Sequence, residues 1–302
     1  MYGAFINRFG SLLDRRFLLG SWFPALCGSL LLSTAYALAH GWRKTVKQWE
    51  GFGAPAQLWL GAVAIAAVTL VAFLLHVAPV IRLFEGYPWP GPIKQWGRKR
   101  QTARRERKSE AVSLRDYPRN RELIRPTRLG NLLTAAEEYS YLRYRIDAVV
   151  WWPRFVPVFA QTFRDQIDEA LLPLIALTSF SLALSAGGTA GAALLVFSGH
   201  WAGGLLYAGA SLAIAVLAYR AALAQAGWYA SCIRVGFDLY RHEVLLAMKL
   251  TLPADLIAER RQWEELTQWV YRGEPPAVPW PYVQPEPPAL PWPYVRPPAA
   301  GS

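Results

Sequence analysis

The sequence predicts an all-α integral membrane protein, built as four transmembrane helices with a cytoplasmic helical module. Three observations predict it. Hydrophobic residues make up 53% of the 302-residue chain and charged residues only 18%, below the quarter usual in a soluble domain. The apolar residues gather into four runs, each close to the roughly 20 helical residues that a bilayer core about 30 Å thick requires. The basic residues gather too: thirteen of the 32 Lys and Arg fall between residues 94 and 128. Fourteen tryptophans add the residue type favoured at membrane–water interfaces.

The runs cover 17–38, 58–81, 171–197 and 201–219, and the third holds no charged residue. In hydrocarbon each segment must satisfy its own backbone, so helices are predicted. Pro24 and Pro79 sit near run ends, where a lost hydrogen bond costs least. The first run follows Arg15 and Arg16 and closes with Ala35, Ala37 and Ala39, as a cleaved leader would. It exceeds a leader's apolar core and three more runs follow, so an uncleaved span is predicted.

Orientation follows from the basic flanks. Residues 94–128 carry thirteen basic and four acidic side chains, a surplus of nine within the chain's formal +11. That connector is expected in the cytoplasm, which places the link 198–201 outside and both termini inside. The expected localisation is a multi-pass inner-membrane one. Arg43, Lys44 and Lys47 oppose this charge pattern; Trp42 and Trp49 bracket them, as in a short interfacial helix.

Between the second and third runs, Tyr87 and Trp89 in the turn-rich stretch 84–92 read as headgroup anchors. Lys94, Arg98, Lys99, Arg100, Arg104, Arg105, Arg107 and Lys108 form a juxtamembrane cluster. Such a cluster suits the anionic inner leaflet, at about 1 kcal/mol per residue near the surface. Nucleic acid is disfavoured as partner, because only Trp96 and Tyr117 are at hand for base stacking.

Leu129, Leu132, Leu133, Ala136, Tyr139, Leu142, Ile146 and Val150 recur at helical spacing and predict one amphipathic helix over 129–150, ended by Trp151-Trp152-Pro153. A shorter amphipathic piece, 163–172, leads into the third run. The fourth run keeps its stripe beyond Arg220 to Met248, and Asp255 and Gly273 bound a further helix. The predicted organisation is a hairpin over 1–93, a basic connector over 94–170, a second hairpin over 171–222, cytoplasmic helices over 223–273 and a proline-rich tail over 274–302. The tail repeats a twelve-residue unit, 275–286 and 287–298. Its composition favours polyproline II, as a spacer or as a ligand for a partner's aromatic groove. Pro279, Trp280, Pro281, Tyr282, Pro291, Trp292, Pro293 and Tyr294 are the candidate partner-binding residues.

Little in the chain points to chemistry. There is no phosphate-binding loop, no His-Glu-x-x-His and no nucleophile elbow. Two cysteines and four histidines predict neither a disulfide framework nor a metal site, and no cofactor is expected. Gly187-x-x-x-Gly191 lies within an apolar run and reads, with Ser181 and Ser185, as a helix-packing face or an oligomer contact; a homo-oligomer is expected. No charge lies inside a run, which disfavours an ion-coupled transporter.

Residues 128–147 with 149–154, and the block Arg234-Val-Gly-Phe-Asp-Leu-Tyr-Arg241, resemble a group of uncharacterised bacterial multi-pass membrane proteins. The resemblance implies a bacterial membrane context and no activity. The functional expectation is a non-enzymatic inner-membrane anchor or interaction protein. An oligomeric channel or membrane-perturbing effector lined by the third and fourth runs, with Thr178, Ser179, Ser181, Ser185 and Thr189 in its wall, is the alternative. An enzyme acting on lipid head groups through Glu137, Glu138, Arg143 and Asp147 is the least favoured.

Overall fold

The computed structural model describes residues 15–77, 80–273 and 280–282. Helix α1 spans Arg15–His40 and contains a π-helical stretch, Leu18–Trp22. It is followed by α2 (Trp42–Glu50), α3 (Ala54–Val77), α4 (Val80–Glu85), α5 (Gly91–Glu106) and α6 (Glu110–Asp116). After a 3-10 turn at Arg121–Leu123 come α7 (Arg128–Tyr144), α8 (Ala148–Phe155), α9 (Gln161–Phe197), α10 (Trp201–Ala247) and α11 (Leu256–Arg272). Among the described residues there is no strand, only an isolated antiparallel bridge between Leu250 and Tyr282. The described part of the protein is all-helical.

Among the described residues four helices are long and apolar enough to cross a membrane: α1, α3, α9 and α10. Their outward faces stay apolar: Leu58, Trp59, Leu206 and Phe197 are each more than 70% exposed. In water such a surface would be an aggregation liability; against lipid chains it is the expected one. Helix α9 takes in the amphipathic piece that precedes the third run, and α10 carries the fourth run to Ala247 without a break.

The chain divides into two compact units, Met1–Tyr139 with Ala160–Val235, and Ser140–Phe159 with Gly236–Ser302. In the first, α1 lies along α9 through small residues. A Cβ on Gly28 would meet the Ala183 carbonyl at 3.2 Å, and one on Gly191 would meet Ala35 Cβ at 2.9 Å. Helix α10 joins them: Ser181 Oγ donates to the Ala215 carbonyl at 3.0 Å, and Tyr207 Oη to the Leu31 carbonyl at 2.6 Å. Phe17, Ala25, Val68 and Ala72 pack α3 onto α1. Leu129 and Leu133 of α7 share a buried cluster with Leu174 of α9 and with Ala222 and Ala226 of α10.

The helix predicted over 129–150 is two helices. Helix α7 stops at Tyr144; Arg145 has φ +63° and Ser140 Oγ donates to the Ile146 carbonyl at 2.9 Å. Asp147 then caps α8 by accepting from the Val149 and Val150 amides. Asp147 fits the polar side of the periodic pattern, but its carboxylate competes better as an N-cap than inside a helix. The second unit closes around aromatic side chains. Trp151 and Trp263 meet edge to face at 4.9 Å, and Phe155 lies 4.7 Å from Phe237. Trp151 Nε1 donates to Thr267 Oγ1 at 2.8 Å. Asp255 caps α11 and Gly273, in the left-handed region, ends it.

Candidate functional site

Helix α5 carries six of the eight basic candidates, with Arg107 and Lys108 just past its end, and a set of close contacts holds its first two turns. Pro126 is wedged between two glycines: a Cβ on Gly97 would lie 2.6 Å from Pro126 Cβ, and one on Gly86 would lie 2.2 Å from Pro126 Cγ. The buried Asn131 side chain fastens the Pro126 segment. Its Oδ1 accepts the Arg125 amide at 2.8 Å, and its Nδ2 donates to the carbonyls of Arg125 and Thr127. Thr127 Oγ1 accepts the Gly130 amide at 3.0 Å at the start of α7.

Beside this segment, Arg125 Nη2 donates to Tyr87 Oη at 2.7 Å while the guanidinium lies over the Tyr87 ring. Burial, with Glu137 adding to it, pushes the Glu85 carboxyl up to about 7 against the opposing pull of Arg125 and Arg82. None of Glu85, Arg125, Pro126 or Asn131 is a candidate on sequence grounds. The one available signal is the Pro-Thr pair immediately before a helical period, a capping pattern.

The eight basic candidates fall into three groups. Arg98, Arg105 and Lys108 are used internally. Arg98 Nη2 donates to the Glu122 carbonyl at 2.7 Å, Arg105 reaches Ser113 Oγ and the Arg119 carbonyl, and Lys108 pairs with Asp116. Lys108 and Arg115 hold the Asp116 carboxyl below the usual range although burial opposes them. Arg100 stacks over Trp96 at 5.3 Å. The side chains of Lys94, Lys99, Arg104 and Arg107 make no hydrogen bond or ion pair among the described residues. A cleft of about 340 Å³ opens beside Arg105, Lys108, Arg119 and Arg121, with Glu106 and Glu110 on its wall.

The packing candidates all lie on α9. A Cβ on Gly187 would fall 2.6 Å from the Gly28 carbonyl oxygen, and Gly191 touches Ala35 and Tyr207. Thr178 and Ser185 donate to carbonyls of their own helix, as Thr189 does. Thr178, Ser179 and Ser181 are buried within the chain. Of the tail candidates, Trp280 Nε1 donates to Glu265 at 3.2 Å and its ring meets Trp269 edge to face; Pro281 and Tyr282 are exposed. Pro279, Pro291, Trp292, Pro293 and Tyr294 lie outside the described residues. Glu138 accepts the amides of Arg119 and Asn120, and Asp147 caps α8, so both carboxylates serve the backbone. Among the described residues no three His, Cys, Asp or Glu side chains are placed to hold a metal ion.

Fold and site together define an all-helical chain with four helices fit to cross a membrane and a cationic helix, α5, held by Pro126 between glycines. The chain matches no family model, no curated protein and no solved structure.

Proposed function

We propose that the chain is a non-enzymatic inner-membrane anchor and interaction protein, with both termini in the cytoplasm and α5 laid on the anionic leaflet. The observation that carries this reading is the composition of the α5 surface. Among the described residues the side chains of Lys94, Lys99, Arg104 and Arg107 make no hydrogen bond or ion pair, and Ile93 and Trp96 of the same segment are both more than half exposed. A cationic helix with an outward tryptophan suits a headgroup layer, where the ring sits at the interface and the cations face lipid phosphates. The proline-rich tail extends the same reading: Trp280 rests on α11, while the exposed Pro281 and Tyr282 offer a protein partner an extended, preformed edge.

The test is reconstitution of the full chain into vesicles. The quadruple variant Lys94→Gln, Lys99→Gln, Arg104→Gln, Arg107→Gln is expected to insert as the native chain does. It should lose any preference for phosphatidylglycerol-rich over phosphatidylcholine vesicles. An unchanged preference removes the role of α5. A chain that stays monodisperse in buffer without amphiphile removes the membrane reading itself.

A further inference from the structure

A second basic site lies in the first unit, lined by α6, α7 and α10. Four arginines border a cleft of about 640 Å³: Arg115 at the end of α6, Arg128 at the start of α7, and Arg220 and Arg234 on α10. Its floor is apolar, formed by Leu132 of α7 and by Leu223 and Gly227 of α10. Positions 220, 223, 227 and 234 recur at helical spacing, so a single face of α10 supplies this wall. Gly227 leaves the floor open, since a Cβ there would meet no atom within 4 Å.

The four cations are not equivalent. Arg234 Nη2 donates to the Arg115 carbonyl at 2.7 Å, and its guanidinium lies 5.9 Å from the centre of the Tyr139 ring. Arg115 Nε is paired with Asp116 at 3.0 Å. Arg128 and Arg220 are exposed, and their side chains make no hydrogen bond, ion pair or ring contact among the described residues. Toward the N-terminus of α10, Arg220 is preceded by the outward-facing Leu212, Ile214, Val216 and Leu217. The free cations therefore stand where an apolar helix surface meets an arginine-rimmed cleft.

We propose that this cleft is a built site for one anionic phospholipid. The phosphate is held by Arg128 and Arg220, the polar head lies over Leu223 and Gly227, and the acyl chains follow the apolar face of α10. The inference rests on the membrane reading above but not on α5. Guanidinium groups suit the task because they meet a phosphate in a planar, two-pronged fork that a free lysine cannot reproduce. Basic pockets at the cytoplasmic ends of membrane helices are a recurrent setting for anionic head groups. Asp116, the acidic group of the cleft, is already neutralised by Lys108 and Arg115 and does not oppose the phosphate.

The experiment uses the full chain in nonionic detergent, titrated with phosphatidylglycerol and followed by native mass spectrometry of retained lipid. Phosphatidylcholine and inorganic phosphate are the parallel arms. Saturable retention of one phosphatidylglycerol is expected, with inorganic phosphate a poor competitor. At about a fivefold loss for each cation removed, Arg128→Gln with Arg220→Gln should weaken retention about 25-fold. Gly227→Glu, which places a carboxylate in open space, should abolish it while leaving the helical circular dichroism unchanged. Arg261→Gln, at an exposed arginine of α11, should leave retention unchanged, and Lys99→Gln with Arg107→Gln is the arm that reports on α5.

Native-like retention by both the arginine pair and the Gly227→Glu variant overturns the site. So does displacement of the lipid by millimolar inorganic phosphate, which would make the ligand a free anion. Retention lost only on changing Lys99 and Arg107 moves the lipid to α5, overturning this cleft while leaving the anchor reading in place.

Discussion

Gly187 of α9 rests on Gly28 of α1 so closely that a Cβ on Gly187 would fall 2.6 Å from the Gly28 carbonyl oxygen. The obstacle is backbone, not a flexible side-chain end, so neither helix can yield without shifting along its length. Gly187→Val is expected to lower the thermal unfolding temperature of the detergent-solubilised chain, at a cost of about 1–3 kcal/mol. Gly209→Ala is the control, because a Cβ there meets nothing within 4 Å. If the two variants melt alike, the α1–α9 contact is not as tight as its geometry states.

The carboxyl of Glu85 makes stability depend on pH. Burial and Glu137 raise it to about 7 from an ordinary value of 4.5, with Arg125 and Arg82 opposing. The folded chain therefore holds this proton more tightly than the unfolded one. The contribution is fully present below the ordinary value and is lost as pH rises through about 7. Melting temperature should fall across that window in the native chain, and Glu85→Gln should flatten the fall. A slope that persists in Glu85→Gln assigns it to another group.

Asn131 is fully buried and makes three hydrogen bonds to the Arg125–Thr127 backbone. Asn131→Ala strands the Arg125 amide and carbonyl, while the Thr127 carbonyl keeps the backbone amide of residue 131. The expected cost is about 2–4 kcal/mol, since buried groups left unpaired cost more than the bonds themselves add. The specific reading is hydrogen exchange at the Arg125 amide, whose protection should be lost. Asn131→Asp keeps an acceptor for that amide and should protect it partly. Unchanged exchange in Asn131→Ala would mean that something else shields the amide.

The four apolar helices were legible because lipid imposes a composition that few other environments demand. The ends of α11 were legible for the same kind of local reason, Asp255 and Gly273 being the residues that start and stop a helix. The break at Arg145 was not, because Asp147 fits the polar side of a continuous helical period as well as it fits a cap. The small-residue pattern at Gly187 and Gly191 pointed to a close helix contact but not to Gly28 as the neighbour. Nothing local announces that Gly86 and Gly97 receive Pro126, or that Arg115 and Arg128 share a cleft with Arg220 and Arg234. These are long-range juxtapositions between residues whose separate roles, turn glycine and solvated arginine, are the ordinary ones.

In the second unit Glu259 is almost completely buried and accepts Arg241 Nε at 2.8 Å, with His242 Nε2 3.3 Å from the same oxygen. Arg241 is held further by the Asp238 carbonyl and lies 4.5 Å from the centre of the Tyr144 ring. Removing one partner leaves an uncompensated buried charge. Glu259→Leu alone should therefore destabilise α11 by about 3–5 kcal/mol, read as faster hydrogen exchange over Leu256–Arg272. Removing both charges, with Arg241→Met added, relieves that penalty, so the double variant should exchange more slowly than Glu259→Leu. Arg241→Met alone should fall between them, because His242 stays close enough to share the Glu259 carboxylate. If the double variant instead shows the two single effects added together, the ion pair is not what ties α11 to the end of α10.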